Sequence, residues 1–222
     1  MNSKPLLLFA SLWVLGVGHV QAAAVFITNH SFEDDDIANN TNSNSAPSGW
    51  SVTGGSGSYL DRNGSGGFND QIDPTPDTGD SEQMAWSNGG DFFQLTGTAI
   101  AANTLYTLTV DMGDRTNLGF PGAELRLGSG APFGSNLLTP TVVSNTIPTN
   151  GAGPSDGWQT WTTTFTTGAS PVAGNLRVEL LNTGGTQPLF DNVRLDATAI
   201  PEPSTVMLST MASLLLLRRR RK

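Results

Sequence analysis

The sequence contains no cysteine and only two histidines in 222 residues. Without cysteine the chain forms no disulfides and has no thiolate chemistry, so its stability must come from a hydrophobic core or from bound ions. Zinc sites normally draw on several His or Cys ligands, and only His30 lies outside the first 23 residues. The same shortage argues against Ser-His-Asp and Cys-His catalysis.

Positive charge is also scarce. The chain has 11 Lys and Arg residues against 19 Asp and Glu residues, a net charge of −8. Lys4 and the cluster 218–222 supply much of this positive charge, and the other arginines are scattered. Because phosphate binding needs clustered cations, the composition excludes a nucleic-acid-binding protein. An acidic surface instead attracts divalent cations.

Long apolar runs occur only at the two ends of the chain. At the N-terminus, Lys4 precedes an apolar stretch from residue 6 to residue 17, and small residues follow at 20–23. This order is typical of a secretory signal peptide. We therefore expect residues 1–23 to form a signal helix, to direct export and to be removed by signal peptidase.

The C-terminus combines a proline-rich triplet, a short apolar run and a basic end. The triplet is followed by apolar residues 206–217 and by the cations, which would stay on the cytoplasmic side of a membrane. This segment resembles the PEP-CTERM sorting signal, which implies a short hydrophobic helix, transient membrane anchoring and processing by an exosortase. The alternative is an ordinary tail anchor. The residues that carry the resemblance are Pro201, Glu202, Pro203, Arg218, Arg219, Arg220 and Arg221.

Residues 24–198 read as one domain built of strands, with 199–222 as the sorting segment. Tyr106, Leu108, Val110 and Met112 alternate with polar residues, the pattern of a half-buried strand. Similar alternation occurs at 160–165, 176–180 and 190–195, and no window shows a helical apolar stripe. We predict an all-β domain, an antiparallel β-sandwich of the jelly-roll type.

Several motifs resemble known families. Residues 29–33 (NHSFE) and 190–193 (FDNV) resemble the galactose-binding-like jelly rolls of carbohydrate-binding modules. Residues 86–90, 102–115 and 120–122 resemble the hapalindole-type (Stig) cyclases and their many relatives. Because most of these residues are core or turn positions, they indicate the fold better than the activity.

The same resemblance implies a calcium site. Asp191 shares the strand parity of Val193 and Leu195, and an inward carboxylate needs a compensating partner. In both families a calcium ion lies between the opening and closing strands, at the positions of Glu33 and Asp191. Carboxylates with backbone carbonyls suit Ca²⁺. The alternative is that Asp191 only accepts backbone hydrogen bonds.

Aromatic residues beside Gly-rich loops are candidates for ligand contact. Tyr59, Trp86 and Trp158 could stack on a sugar ring while neighbouring polar groups bind its hydroxyls. The cyclase resemblance implies instead an apolar, aromatic-lined pocket in which a carboxylic acid donates a proton to an indole–isoprenoid substrate. Asp111 and Asp191 are the candidates for that acid, and Trp86 lies near the position of an aromatic polar partner in the family.

Three functions remain open from the sequence. The favoured interpretation is an exported protein of the cell envelope or extracellular matrix that binds calcium and polysaccharide, without catalysis. The second is a Stig-cyclase-like enzyme. The third is a structural matrix protein with no small ligand.

Overall fold

The computed structural model describes residues 21–35, 37, 41–61, 83–113, 120, 122–131, 137–143, 158–184 and 187–201, with the backbone alone at 55–61 and 137–143. Within these residues every regular element is a strand, as the alternating patterns predict. The strands are β1 (Ala23–Val25), β2 (Thr41–Asn42), β3 (Ser51–Asp61), β4 (Gln83–Ala99), β5 (Thr104–Gly113), β6 (Ala123–Ser129), β7 (Leu137–Val143), β8 (Trp158–Thr166), β9 (Asn175–Asn182) and β10 (Leu189–Ala199). The predicted terminal helices lie outside the described residues, apart from positions 21–23, where Ala23 begins β1.

All strand pairs are antiparallel and form a nearly closed β-sandwich. The hydrogen-bonded order is β7-β6-β9-β4-β10-β5-β8. The opening strand β1 pairs with the closing strand β10, as expected from the sequence. Strand β4 has 17 residues; its start pairs with β10 and its end with β9, so it belongs to both halves of the sandwich.

One continuous core fills the space between the two halves. The alternating residues of β5 all point into it, and each is at most 1% exposed: Tyr106, Leu108, Val110 and Met112. Alternate residues of β6 and β9 face them from the other half. Trp50 belongs to this core, as its position after a turn predicts, and its ring lies 5.4 Å from that of Phe32. Burial of such side chains, at about 25 cal/mol per Å², is the main favourable term in a domain without disulfides.

Strand β9 is buried on both faces. Leu176, Val178 and Leu180 point into the core, as the alternation predicts, but Arg177 and Glu179 on the other face are also 0% exposed. Their ion pair is 2.6 Å long, and the Nη1 atom of Arg177 also donates to the carbonyl oxygens of residues 129–131. A buried charge needs such partners, which the sequence pattern alone does not reveal.

Candidate functional site

A bulge in β10 turns Asp191 away from the core. Phe190 pairs with Met112 and Ala85 in the core, but the register shifts between Asp191 and Arg194. Asn192 takes up the shift with a φ of 50°, a left-handed conformation that asparagine tolerates. The parity that groups Asp191 with Val193 is therefore wrong, because an extra residue separates them. Asp191 lies on the outer face of the sheet.

On that outer face Asp191 directly opposes Asp111 of β5. Asp111 is 5% exposed and Asp191 is 1% exposed. Directly opposed side chains of an antiparallel pair lie close together. Two buried carboxylates in this arrangement disfavour simultaneous ionisation, unless neighbouring donors compensate the charge.

The donors gather around Asp111. The hydroxyl of Thr160 donates to its Oδ1 atom at 2.5 Å, and the Nδ2 atom of Asn192 donates to its Oδ2 atom at 3.0 Å. The guanidinium of Arg194 lies 3.4 Å from Oδ1 and is half exposed. Three donor groups therefore surround the side chain of Asp111. Asp191 accepts a bond from the backbone N–H of Asn192 at 2.6 Å.

Apolar side chains lie in the row next to the two aspartates. Trp86 pairs with Leu189, Leu189 with Gly113, and Gly113 with Trp158. Met84 and Leu189 are buried, and the two half-buried tryptophans pack against them. We call this face the tryptophan–aspartate surface; it consists of Met84, Trp86, Asp111, Trp158, Leu189 and Asp191.

Gly113 allows Trp158 to lie flat on the sheet. A Cβ atom at residue 113 would fall 2.6 Å from the indole ring of Trp158, closer than side chains approach one another. The site therefore depends on a missing side chain as well as on those present.

Four predicted site residues meet on this surface: Trp86, Trp158, Asp111 and Asp191. Tyr59 lies in β3, where its backbone pairs with Ala85, but its side chain is outside the described part. The sequence interpretation missed the three residues that hold Asp111. Of these, the asparagine in the F-D-N-V motif carried a usable signal, because asparagine is enriched in left-handed conformations and so indicates a bulge.

Glu33 lies at the border of this surface, in the loop after β1. Both of its carboxylate oxygens accept hydrogen bonds from Gln83, from the backbone N at 2.7 Å and from Nε2 at 3.1 Å. The same loop contacts β10, since the carbonyl of His30 accepts from the N–H of Val193 at 2.8 Å. Gln83 begins β4 next to Met84, which is level with Asp191 in the ladder.

The donor chemistry at this border fits Ca²⁺, because carboxylate and carbonyl oxygens are its usual ligands. Among the described residues no group of three or more His, Cys, Asp and Glu side chains is placed to hold a metal. A calcium ion at Glu33 would therefore need backbone carbonyls of the 28–35 loop. A metal role and an acid role compete for Asp191, since a metal ligand must be ionised.

Two solved structures of similar fold are cyclases. The Stig cyclase Fisc from Fischerella sp. TAU, in complex with (3Z)-3-(1-methyl-2-pyrrolidinylidene)-3H-indole, is 21% identical, with a TM-score of 0.64 over 82% of this chain and 100% of that chain. The apo form of a cyclase from Fischerella sp. is 22% identical, with a TM-score of 0.64 over 82% of this chain and 98% of that one. At these identities the similarity shows the fold.

A CBM4 domain is less similar, at 17% identity and a TM-score of 0.44 over 78% of this chain and 99% of that chain. Among curated proteins, no sequence matches this chain. A family profile described as HpiC1 cyclase matches residues 23–196, from the start of β1 into β10. The chain therefore belongs to the HpiC1-like cyclase family.

Proposed function

We propose that this protein is a cyclase-type enzyme that protonates an apolar, aromatic small molecule at the tryptophan–aspartate surface, with Asp191 as the acid. The observation that supports this most is the pair of buried, opposed carboxylates beside two half-buried tryptophans. Acid catalysis on an apolar substrate needs a carboxylic acid that stays neutral in a dry environment.

The hydrogen bonds support Asp191, rather than Asp111, as the acid. Thr160, Asn192 and Arg194 all donate to Asp111, so both of its carboxylate oxygens act as hydrogen-bond acceptors. Asp191 is almost fully buried and lies opposite Asp111. Both burial and a neighbouring negative charge favour the neutral form of a carboxylic acid. We therefore propose Asp191, rather than Asp111, as the proton donor.

The reaction that follows is an isomerisation. Asp191 donates its proton to a carbon–carbon double bond of the substrate, and a carbocation forms. The faces of Trp86 and Trp158 and the charge on Asp111 stabilise that cation. Attack by a second double bond closes a ring, and loss of a proton to Asp191 restores the acid. The product has the same composition as the substrate, so no co-reactant is consumed.

The proposed substrate class rests on the side chains of the tryptophan–aspartate surface and on the family. The apolar floor of Met84 and Leu189 and the two indole rings favour a flat aromatic molecule. The Fischerella cyclase of similar fold was solved with an indole compound. We propose an indole that carries an isoprenoid chain.

The test is conversion of such an indole–isoprenoid precursor by the full-length chain in deuterated water. Isomeric products with deuterium at carbon are expected. Asp191→Asn should lower turnover by about 100-fold or more. Binding should change little, because asparagine resembles the neutral acid in shape and charge. Leu95→Ala, on the other half of the sandwich, is the control. Wild-type turnover in the Asp191→Asn variant would exclude this acid.

Carbohydrate binding is the second candidate, and the tryptophan pair is the observation that favours it. Two half-buried indole rings on a sheet face can stack on sugar rings. Binding to a glycan array that is lost in both Trp86→Ala and Trp158→Ala, with no conversion of the indole precursor, would favour this function. If the protein shows neither activity, the structural matrix protein remains as the third candidate.

We also propose that the protein is exported and processed by an exosortase, on the sequence of its two ends. Among the described residues no helix is long and apolar enough to cross a membrane, and both terminal segments lie almost entirely outside them. Replacement of Glu202 should leave an unprocessed precursor in the membrane fraction, seen as a larger band on an immunoblot. Normal maturation of that variant would contradict the sorting signal.

A further inference from the structure

A cavity lies between β1 and β10, beside the tryptophan–aspartate surface, and its β10 wall includes Asn192 and Arg194, which also donate to Asp111. The two strands pair as far as Val25 and Leu195, and the next backbone hydrogen bond joins Val193 to His30. The chain from residue 26 to residue 29 leaves the ladder between these points. The gap forms an open cavity of about 420 Å³, within the size range of small-molecule sites.

Phe26 in the wall of this cavity is 78% exposed, more than any other large hydrophobic residue in the described part of the chain. Its neighbours in the sequence, Val25 and Ile27, are buried in the core and fix its position. An aromatic ring held in water beside a concave surface is a ready partner for another flat ring.

Arg194 is the one cationic arginine or lysine side chain in the described wall of the cavity, and Asp196 lies in the same wall. Arg194 lies midway along the β10 wall, between Asn192 at one end and Asp196 at the other, and its side chain is 48% exposed. Its ion pair with Asp111 is long, at 3.4 Å, and uses one Nη2 atom. The planar guanidinium has further donors that suit a carboxylate. His30 lines the end near Asn192, and Asp196 is the one acidic side chain in the wall.

We propose that the β1–β10 cavity is a second small-molecule site, which takes a flat aromatic anion. Phe26 packs against the ring and Arg194 pairs with the anionic group. Phe26 lies outside the tryptophan–aspartate surface, whereas Arg194 also contacts Asp111 of that surface. The proposed binding does not depend on cyclase activity.

The test is isothermal titration of the full-length chain with 2-naphthoate and with its uncharged amide. One molecule of naphthoate should bind per chain, more tightly than the amide. Phe26→Ala should weaken naphthoate binding by about tenfold. Arg194→Gln should reduce the affinity for naphthoate to that for the amide and leave amide binding in place.

Two control variants test whether naphthoate binds in this cavity and not at another surface. Leu95→Ala removes another exposed hydrophobic residue, 53% exposed, far from the cavity wall, and should bind naphthoate like wild type. Trp86→Ala should also bind like wild type. Melting temperatures report whether each variant is folded. Unchanged affinity in folded Phe26→Ala, or loss of binding in Trp86→Ala instead, would overturn the proposal.

Discussion

Gly113 sets the distance between Trp158 and the sheet. Strand interiors usually disfavour glycine, by about 0.5–1 kcal/mol relative to alanine. Here the missing side chain lets an indole ring cover the backbone beside the two aspartates. At this position the shape of a ligand site outweighs the local cost in stability.

We expect Gly113→Ala to displace Trp158 and to weaken ligand binding at the tryptophan–aspartate surface. The added methyl group would overlap the indole ring, and such crowding costs about 1–3 kcal/mol. Acrylamide quenching of tryptophan fluorescence should increase as Trp158 becomes more exposed. Gly97→Ala is the matched control, since a Cβ there meets nothing within 4 Å. Equal behaviour of the two variants would contradict this role for Gly113.

Asp91 is a second residue whose environment affects the stability of the protein, in a way that depends on pH. Burial raises the pKa of its carboxyl above 3.8, while the backbone N–H of Asn182 and the charge of Arg126 oppose the shift. The folded state therefore holds this proton more tightly than the unfolded state. Its contribution to stability is greatest below the unfolded pKa and is lost as the pH rises through the folded pKa.

Asp91→Asn should therefore raise the melting temperature at pH 7, with a difference that shrinks as the pH falls towards 4. The amide oxygen of asparagine can still accept the Asn182 N–H bond, which is 3.0 Å long in the wild type. Melting curves from pH 4 to pH 8 measure this. A variant that is less stable than wild type at neutral pH would show that the charge is favourable.

The sequence singled out four residues that lie together in the structure, but it did not predict which face of the sheet Asp191 occupies. The motifs single out Trp86, Trp158, Asp111 and Asp191, and the structure brings these four together. Simple alternation placed Asp191 in the core. It failed because one asparagine with positive φ shifts the register, a tertiary detail that strand periodicity does not contain.

Among the elements, β10 matters most for the site. Its bulge presents Asp191 to the outer face and returns Val193 and Leu195 to the core. Bulges often lie beside active sites because they redirect a single side chain without breaking the sheet.

Asn192→Val should destabilise the protein by about 1–3 kcal/mol, because a β-branched residue is strained at positive φ. Asn192→Gly should keep the backbone and lose only the hydrogen bond to Asp111. Urea unfolding of both variants gives the comparison. If the valine variant is as stable as the glycine variant, the bulge does not require this backbone conformation.

Strand β9 marks the limit of pattern-based prediction in the other half of the sandwich. Alternation correctly predicts the strand and its core face. The burial of Arg177 and Glu179 depends on neighbouring strands that are distant in sequence. A polar face in the sequence therefore does not establish a solvent-exposed face.

At the scale of the whole molecule, the all-β sandwich and the pairing of the first and last strands were predictable. They follow from alternation and from motifs at both ends of the domain. The order of the strands in the sheet was not predictable, because contacts between residues far apart in the chain determine it.

Calcium binding remains a prediction, and its effect would be on the stability of the whole domain. With no disulfides, a bound ion at Glu33 would stabilise the folded state by mass action. EDTA should lower the melting temperature of the wild type, and excess Ca²⁺ should restore it. Glu33→Gln should lose this sensitivity, whereas Asp191→Asn should keep it if Asp191 serves as the acid. A melting temperature that does not change on chelation would contradict the predicted calcium site.

The length of β4 has a consequence for how the molecule opens. One uninterrupted strand pairs with β3, β10 and β9, so neither layer can detach without breaking ladders that the other layer shares. Partial melting of one layer is therefore costly, and the domain should behave as a single cooperative unit. Amide protons along the middle of β4 would then exchange with solvent only through global unfolding.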